Sequence, residues 1–453
     1  MPARKLKVIS LFSGGMGLDL GLESTGRFQT IACVENDSAA CDTIRHNRTN
    51  GRLRKSLKVY EGDISELDPL DVLNDLGIEP GEIDVVSGGP PCQSFSTAGK
   101  RGTVQDVRGT MLWQFLRFVD VMQPKFFLME NVRGLLSAAL QHRPIADRPN
   151  KGGPPLKEKE KPGSVVEQFV KDLRSIDGAE YHMDVFEVNS VNYGAPQIRE
   201  RVLFIGNRFN EQIDFPNPTH GKQKEAPSEQ KTLFDCEDNE SDFLPWETLG
   251  DAIKGIQEES PELLDFSPRK KKFLTLVPPG GNWRCLPVEL QKESMKKAWF
   301  AKGGRSGWWR RLSYDFPCPT LMTMPNHAST SLCHPEFVRV LSLKEYAAVQ
   351  EFPEEWEFCG TTAEKYRQVG NAVPVRLGKV AGETICRAMS RLQKCGFKPQ
   401  SEAPKPFRVV YIQSHVRTRS WFKDGKAVTE DGEGVSYNAP KTVRKTSRVM
   451  ERR

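Results

Sequence analysis

The sequence has no apolar run approaching the roughly 18 residues that a membrane-spanning helix requires. Its 10 cysteines are scattered over 453 residues and never form a C-x-x-C pair, which argues against a disulfide scaffold and against a treble-clef zinc site. There is no internal repeat, and no cleavable signal segment precedes the first apolar stretch. These absences predict a globular protein of a reducing cytoplasm.

Charge is unevenly distributed along the chain. The formal net charge is +6, while Lys398–Arg453 alone contains 13 Lys and Arg against six Asp and Glu. The remainder is therefore close to neutral. A basic end on a neutral body indicates a polyanionic partner, although a solvated tail would explain the same charge.

Short β-rich runs alternate with helical patterns over the first half of the chain. The predicted strands are 7–12, 30–35, 59–63, 83–88 and 126–130, with 186–190 and 202–206 later, and the predicted helices are 19–24, 38–47 and 113–122. Strands that alternate with helices are typical of βαβ units, so the pattern predicts an α/β fold around a parallel sheet.

Composition divides the chain into four predicted parts. Residues 1–206 carry the alternating pattern, interrupted by a surface insertion at 143–163 that is rich in Pro, Gly and Lys. Residues 207–307 lose the alternation and predict a separate, smaller domain. Residues 308–397 return to the α/β pattern, with a strand at 337–341 and helices at 343–351 and 375–394. Residues 398–453 form a basic extension, in which 407–413 and 419–422 predict a hairpin.

Three consecutive strand ends carry groups suited to a nucleoside. The first strand runs into the glycine-rich turn Phe12–Gly17, the second ends at Glu35 and the third at Asp63. Such a turn lets a nucleotide approach the backbone, and a carboxylate about twenty residues on can hold ribose hydroxyls. Leu20 stands where a dinucleotide fingerprint needs its last glycine, so a different nucleoside-type cofactor is predicted. Helix capping is the alternative role for Asp63.

A thiol and a carboxyl group follow at the same edge. Cys92 comes directly after Pro90 and Pro91 at a strand end, and the next strand ends in Glu130. Most cysteines are inert core residues, but prolines hold this one rigidly on a loop at the ligand edge. The pair predicts a nucleophile and a general acid.

Further along the chain, an extended segment carries polar side chains on one face. Gln197, Arg199 and Arg201 alternate with other residues in this segment, so their side chains share a face. A solvated charged strand is the alternative.

In order and spacing, these blocks resemble the cytosine-C5 DNA methyltransferase family of bacterial restriction–modification type, over residues 6 to about 394. The blocks that carry the resemblance are Phe12–Gly17, Glu35, Asp63, Pro90-Pro91-Cys92-Gln93, Glu130-Asn131-Val132, Gln197-x-Arg199-x-Arg201 and Gly370-Asn371-Ala372-Val373-Pro374. One departure is that Met16-Gly17 stands where the family usually has a glycine pair. A Met16 side chain that points into the fold would make this tolerable.

The resemblance implies a Rossmann-like methyltransferase domain that uses S-adenosyl-L-methionine, with a smaller target-recognition domain at 207–307. Within the cofactor site, Glu35 would hold the ribose and Asp63 the adenine amino group. The implied cofactor-binding residues are Phe12, Ser13, Gly14, Gly17, Glu35, Asp63, Ile64, Pro90, Leu112, Asn371 and Val373.

The resemblance also implies a mechanism in which four residues act on a flipped cytosine. Cys92 would add to C6 as a thiolate, the reactive form of a cysteine. Glu130 would donate a proton or a hydrogen bond to N3, Arg201 would bind O2, and Arg199 would order the carboxylate and the neighbouring loop.

The implied partner is double-stranded DNA, with a restriction endonuclease that acts separately, and the implied protein is a monomer of the bacterial cytoplasm that associates with DNA. Basic residues of the recognition domain would contact phosphates and base edges. The candidate DNA-binding residues are Gln93, Ser96, Arg269, Lys270, Lys271, Lys272, Arg284 and Arg305.

Three alternatives share part of this pattern. A tRNA cytosine-5 methyltransferase has the same catalytic blocks, but that branch usually has a smaller recognition region with a Cys-Phe-Thr tripeptide, which this sequence lacks. A zinc deaminase would need a P-C-x-x-C after His334-Pro335-Glu336, and none follows. Intact Cys92, Glu130 and Arg201 disfavour a non-catalytic DNA-binding protein.

Overall fold

A computed structural model describes most of the chain. The described residues are 4–91, 110–179, 181–221, 243–300, 305–397, 405–412, 421–423, 426–428 and 448–451. No helix among these residues is long and apolar enough to cross a membrane, and these residues contain no cluster of His, Cys, Asp and Glu that could hold a metal ion.

A nine-stranded sheet forms the centre of the fold. Fifteen strands are found among the described residues, and nine of them form this sheet. The fifteen strands are β1 Leu6–Leu11, β2 Phe28–Glu35, β3 Lys58–Glu61, β4 Val85–Gly88, β5 Phe126–Asn131, β6 His182–Asn189, β7 Gln197–Ile198, β8 Glu200–Asn207, β9 His220–Gly221, β10 Leu244–Pro245, β11 Cys318–Pro319, β12 Arg408–Tyr411, β13 Trp421–Lys423, β14 Lys426–Val428 and β15 Arg448–Glu451. The order in the main sheet is β15-β12-β6-β8-β5-β4-β1-β2-β3.

Eleven helices are found among the described residues. They are α1 Gly17–Ser24, α2 Ser38–Thr49, α3 Pro69–Leu76, α4 Met111–Met122, α5 Ser164–Leu173, α6 Leu249–Ile253, α7 Pro268–Leu274, α8 Val288–Met295, α9 Leu343–Val349, α10 Thr362–Asn371 and α11 Val375–Lys394. The α/β class is confirmed, and α11 has the predicted bounds.

The sheet is mixed rather than wholly parallel. β1 to β5 pair in parallel as predicted, but β8 is antiparallel to both β5 and β6. The prediction that 202–206 forms a strand of the same kind as the first five was therefore wrong in its direction. Only ten residues separate β6 from β8, and a parallel crossover needs about a dozen or more.

Two hydrophobic cores cover the two faces of the sheet. Alternate residues of β1 divide between them: Ile9 and Leu11 belong to one core, and Leu6 and Val8 to the other, as the period of two in a strand requires. The first core packs under α4 and α5, and the second under α1 and α11. The result is a three-layer α/β/α domain.

Two further hydrophobic cores are built mainly from residues of the second half of the chain. One joins Met16 and Ile44 of the main domain to Leu312 and Tyr346. The other is built from Phe266, Phe273, Leu274, Val277, Trp283, Leu286, Met295, Trp309, Cys333 and Val340. This separate small core supports a second structural unit, and its members continue beyond residue 307.

Two local predictions in the second half were wrong. Residues 337–341 do not form a strand; only Val340 makes an isolated bridge, to Cys333. Arg408–Tyr411 does not pair with 421–423 as a hairpin but lies parallel to β6 and antiparallel to β15. Burial explains the second result, since Val409 and Val410 pack into the cores on opposite faces of the sheet.

A buried ion pair fixes β12 to the sheet. Arg408 Nε lies 2.8 Å from Asp184 Oδ1, and the Asp184 side chain is fully buried. His182 and the backbone N–H of Ile213 also bond to this carboxylate. Burial alone would raise the pKa of Asp184, but the hydrogen bonds from His182 and Arg408 outweigh it and lower the pKa. Part of the basic extension is thus a structural element of the catalytic sheet.

We expect Arg408→Ala to destabilise the fold by about 3–5 kcal/mol, because it leaves a buried carboxylate without its cation. Chemical denaturation at neutral pH measures this loss. Since the pKa of Asp184 is lowered, its contribution is present above the unfolded pKa and is lost as the pH falls through the folded value. The matched control is Arg45→Ala, which removes the partner of exposed Glu61 and should leave the unfolding midpoint almost unchanged. Equal effects of the two variants would contradict the prediction.

Candidate active site

The carboxyl ends of five parallel strands lie side by side at one edge of the sheet. Leu11 is paired with Val34 and with Gly88, and Gly88 is paired with Met129. Glu35 is paired with Glu61 at the end of β3. The antiparallel strand β8 begins at the same edge, where Val202 pairs with Asn131. Each predicted block on β1, β2, β3, β4, β5 and β8 therefore reaches this edge.

Glu35 holds the glycine-rich turn after β1. Its Oε2 accepts a hydrogen bond from the Gly14 N–H at 2.7 Å, and its Oε1 accepts from Asn36 and Asp37 at 2.9 and 2.8 Å. Gly14 has a φ of +50°, and a Cβ built on it would meet nothing within 4 Å. The turn therefore leaves open space directly beside a carboxylate fixed by three backbone donors.

The C-terminal block closes this turn from the other side. A Cβ on Gly17 would lie 2.3 Å from the Val373 carbonyl oxygen, so only glycine permits this approach. Ala372 and Val373 are buried against the first half of the fold, while Asn371 is exposed. Residues about 355 positions apart in the sequence thus meet at the start of α1.

Asp63 is exposed, and one of its oxygens is already occupied. Asp63 Oδ1 accepts hydrogen bonds from the Ser65 N–H at 2.8 Å and from Ser65 Oγ at 2.7 Å. No described residue donates to Oδ2. Asp63 therefore caps a turn and not the helix of the alternative role, since the next helix begins at Pro69 with Asp68 as its N-cap.

Met16 lies in the left-handed region, with a φ of +66°. Its side chain is fully buried in the core that contains Ile44 and Tyr346. A non-glycine residue in this region costs on the order of 1–2 kcal/mol, and burial of the thioether side chain offsets that cost. The side chain therefore points into the fold, as the departure from the family pattern required.

Glu130 and Arg201 form a close ion pair at the edge. Arg201 Nε lies 2.6 Å from Glu130 Oε1, and only 13% and 12% of the two side chains is exposed. Burial lowers the pKa of Arg201, an effect that Glu130 opposes. A Cβ on Gly89 would lie 3.1 Å from Glu130 Oε2. The carboxylate therefore lies against the chain that leads from β4 towards Cys92.

The proline segment before Cys92 is anchored to β5. Asn131 Nδ2 donates to the Pro90 carbonyl at 3.0 Å, and the Val132 N–H donates to Asn131 Oδ1 at 2.9 Å. Cys92 itself, with Gln93 and Ser96, lies outside the described residues. The asparagine of the Glu130–Val132 block thus fixes the proline that precedes the predicted nucleophile.

Arg199 is almost completely buried and bonds to backbone rather than to Glu130. Its guanidinium donates to the carbonyls of Leu321 at 3.1 Å and Gly370 at 2.9 Å. Burial lowers the pKa of Arg199, and the charge of Arg201 adds to this. Arg199, the residue between β7 and β8, is therefore joined to the backbone of the C-terminal block.

Gln350 completes this arrangement and was not singled out from the sequence. Its Nε2 donates to the carbonyls of Val369 and Ala372 at 2.7 and 3.0 Å, and Gln197 Nε2 donates to Gln350 Oε1 at 2.9 Å. A glutamine at the end of a short helix gives no local signal of such a role. Only the fold brings it to the Gly370–Val373 turn.

Asp19 is a second residue that the sequence did not single out. It is buried and accepts hydrogen bonds from Ser10 Oγ at 2.8 Å and Ser87 Oγ at 3.2 Å. Burial raises the pKa of Asp19 to about 7. It joins β1, β4 and α1 directly beneath the glycine-rich turn.

The remaining predicted cofactor residues are mostly buried near this edge. Ile64 and Leu112 belong to the first core and Val373 to the second. Phe12 is partly buried, with a φ of +55°, and Ser13 is buried.

Most predicted DNA contacts in the second half have partners within the protein. Lys270 donates to the Asn326 carbonyl, Lys271 pairs with Asp265 and Lys272 with Glu293. Arg284 and Arg305 both lie over the Trp283 ring, at 4.7 and 5.0 Å from its centroid. Arg269 is exposed. The lysine run is therefore largely committed to internal contacts.

The chain matches a family of known proteins along most of its length. The model of the C-5 cytosine-specific DNA methylase family matches residues 6–387. The Type II methyltransferase M.Sau96I of Staphylococcus aureus is 36% identical over 387 residues, covering 85% of this chain and 76% of the relative. The Type II methyltransferase M.Eco47II of Escherichia coli is 35% identical over 395 residues, covering 85% and 80%.

Solved structures agree on the fold. The crystal structure of a putative DNA modification methyltransferase encoded within an E. coli prophage covers 85% of this chain and all of that one, with a TM-score of 0.53 and 24% identity. The structure of the Entamoeba histolytica methyltransferase EhMeth covers 85% and 99%, with a TM-score of 0.50 and 13% identity. At these identities the similarity concerns the architecture alone.

Proposed function

The chain belongs to the C-5 cytosine-specific DNA methylase family and is a DNA cytosine-C5 methyltransferase of the restriction–modification type, and we propose that it methylates a cytosine flipped out of one specific duplex sequence. The observation that carries the proposal is the juxtaposition at the sheet edge. The Glu130–Arg201 pair lies against the segment that leads to Cys92. At the same edge, Glu35 at the end of β2 holds the glycine-rich turn that follows β1. One edge thus offers a carboxyl group and an open glycine turn beside the segment that leads to Cys92, the proposed nucleophile.

The proposed chemistry begins at C6 of the cytosine, because C5 is by itself a poor nucleophile. The Cys92 thiolate adds to C6 and makes C5 electron-rich. Glu130 supplies a proton or hydrogen bond at N3, and Arg201, held by Glu130 at 2.6 Å, donates to O2. After methyl transfer, loss of the C5 proton and release of the thiolate restore the ring and the enzyme.

The residues at the glycine-rich turn suit S-adenosylmethionine, which, when bound, supplies an electrophilic methyl group. The open space at Gly14 admits a ligand to the backbone. The fixed Glu35 carboxylate can accept from ribose hydroxyls, and the free Asp63 Oδ2 can accept from an adenine amino group. These acceptors match the donors of an adenosine, which supports this cofactor.

We expect Asp63→Asn to weaken binding of S-adenosylmethionine by about 1–3 kcal/mol, the contribution of a hydrogen bond to a charged group. An asparagine has one acceptor oxygen, so it can serve the Ser65 turn or the adenine amino group but not both. Calorimetry with the cofactor measures the loss. DNA affinity without cofactor and the melting temperature should barely change. Unchanged cofactor affinity with a lowered melting temperature would assign Asp63 to the turn alone.

Recognition of the DNA sequence is proposed to belong to the second, smaller unit. Its separate core supports this division, since base contacts must vary with the target while catalytic groups need one fixed geometry. A domain exchange that replaces 207–307 with the same region of a related enzyme tests it. The chimaera should methylate the donor's site, and retention of the original site would place specificity elsewhere.

DNA and tRNA as substrates are separated by one experiment. Purified protein is incubated with S-adenosylmethionine labelled in its methyl group and with either duplex DNA or tRNA. We expect label only in DNA, and label only in tRNA would overturn the DNA substrate. We further propose that the protein acts as a monomer in the cytoplasm beside a separate restriction endonuclease.

A further inference from the structure

Two adjacent arginines at the border of the small core differ sharply in their contacts. The Arg311 guanidinium donates to the carbonyls of Val277, Pro335 and Glu336. The Arg310 guanidinium makes no hydrogen bond or ion pair with any described residue; only its backbone is bonded, to Ser331 and Cys333. Among the described residues, all three guanidinium nitrogens of Arg311 find acceptors and those of Arg310 find none.

Arg310 is nevertheless only partly exposed. Burial lowers the pKa of its guanidinium, and its charge interacts with the buried Cys318 thiol. A cation withdrawn from water without a partner costs free energy. No contact of the Arg310 guanidinium with the described residues offsets that cost, so an acceptor from outside the chain explains the position of this side chain.

Its position connects the two structural units. Trp309, on one side, belongs to the small core, and Leu312, two residues beyond Arg310, belongs to the core shared with the main domain. Cys318, whose buried thiol interacts electrostatically with Arg310, pairs through its backbone with Gln197 of β7. Gln197 is four residues before Arg201 on β8. Arg310 therefore lies where the small core meets the segment that leads to Arg201, the proposed partner of cytosine O2.

From this placement we propose that Arg310 contacts the target DNA beside the flipped cytosine, its guanidinium donating to a pair of acceptor atoms. The inference rests on the DNA-methylating function stated above. A guanidinium presents two parallel donors, which fit two phosphate oxygens or the O6 and N7 atoms of guanine. Arg284 and Arg305 stack on Trp283. Arg310 is therefore a stronger candidate than either of them for contacting the target DNA sequence.

The test compares Arg310→Gln, Arg310→Lys and Arg54→Gln with the wild type. Arg54 bonds to Gln29 on the surface and precedes the amino end of β3, at the opposite edge of the sheet, so its variant controls for the loss of one positive charge. The measurements are affinity for the cognate duplex and for a duplex with one altered base pair, the salt dependence of binding, the rate of methyl transfer and the denaturation midpoint.

We expect Arg310→Gln to bind the cognate duplex about 10- to 100-fold more weakly, with a denaturation midpoint equal to or above that of the wild type. Arg310→Lys keeps the charge but loses the paired donors, so it should recover only part of the affinity. A base contact would confine the loss to the cognate duplex. A phosphate contact would weaken both duplexes equally and reduce the salt slope by about 0.9.

Either pattern supports the contact. Wild-type affinity and transfer rate in both Arg310 variants would overturn it, as would a loss no larger than that of Arg54→Gln. A lowered denaturation midpoint with unchanged DNA affinity would assign Arg310 to the fold and would also overturn it. Absence of methyl transfer to any DNA by the wild type would instead contradict the function itself, so the two failures are distinguishable.

Discussion

Replacement of Cys92 by serine is expected to abolish methyl transfer, with a loss of about 10³-fold or more. A serine hydroxyl is far less acidic than a thiol, so hardly any anion is available to add to C6. Loss of a nucleophile reduces turnover by several orders of magnitude even when the rest of the site is intact. Single-turnover methylation of the cognate duplex measures the effect.

Folding and binding should survive this substitution. The preceding prolines remain anchored through the Asn131–Pro90 hydrogen bond, and the cofactor contacts lie on other strands. Cys395→Ser, at an exposed cysteine after α11, is the matched control and should retain full activity. Near-normal turnover of Cys92→Ser would remove the covalent step from the mechanism.

A covalent adduct gives an independent readout. With 5-fluorocytosine at the target position, C5 carries fluorine instead of the proton that must leave. With S-adenosylmethionine present, the methyl group is transferred to C5, but no proton remains there to be lost and the thiolate stays bonded to C6. Protein and DNA should then migrate together under denaturing conditions. We expect this complex with the wild type and with Cys395→Ser but not with Cys92→Ser.

Sequence reasoning succeeded where chemistry is located at strand ends. Glu35, Asp63 and Glu130 could be assigned to one edge because the carboxyl ends of parallel strands meet there, and the structure confirms that edge. The roles of these residues remain predictions. The pattern also predicted helix α11 from Val375 to about Lys394, since a long amphipathic helix carries its own signal.

What the sequence could not supply were contacts between distant segments. Nothing local in Gln350 indicates that it would bond to Gln197 and to the carbonyls of Val369 and Ala372. The direction of β8 and the place of β12 depend on which strands they meet. Arg199 was predicted to order the carboxylate, yet its bonds go to the carbonyls that surround the C-terminal block. These facts depend on topology, which periodicity does not determine.

The Glu130–Arg201 pair constrains what Glu130 can do. Arg201 Nε lies 2.6 Å from Glu130 Oε1, so the carboxylate is already engaged before a base enters. Entry of the cytosine can change this, because O2 of the base competes for the same guanidinium. As Arg201 turns to O2, Glu130 becomes available to N3.

We therefore expect Glu130→Gln to slow methyl transfer by roughly 10²–10⁴-fold, the usual contribution of general acid catalysis. Glutamine keeps a hydrogen-bond donor near N3 but cannot transfer a proton. Single-turnover rates of the two proteins on the cognate duplex, compared across the pH range, measure the effect.

The matched control is Glu187→Gln on β6. Glu187 is also a buried carboxylate paired with an arginine, Arg133, at 3.0 Å, but it is not among the residues proposed to touch the base. Its substitution should change stability without slowing methyl transfer. Glu130→Gln rates equal to those of the wild type at every pH, together with an inactive Arg201→Ala variant, would contradict this role. Only the guanidinium contact would then be required, and the pair would hold the base without moving a proton.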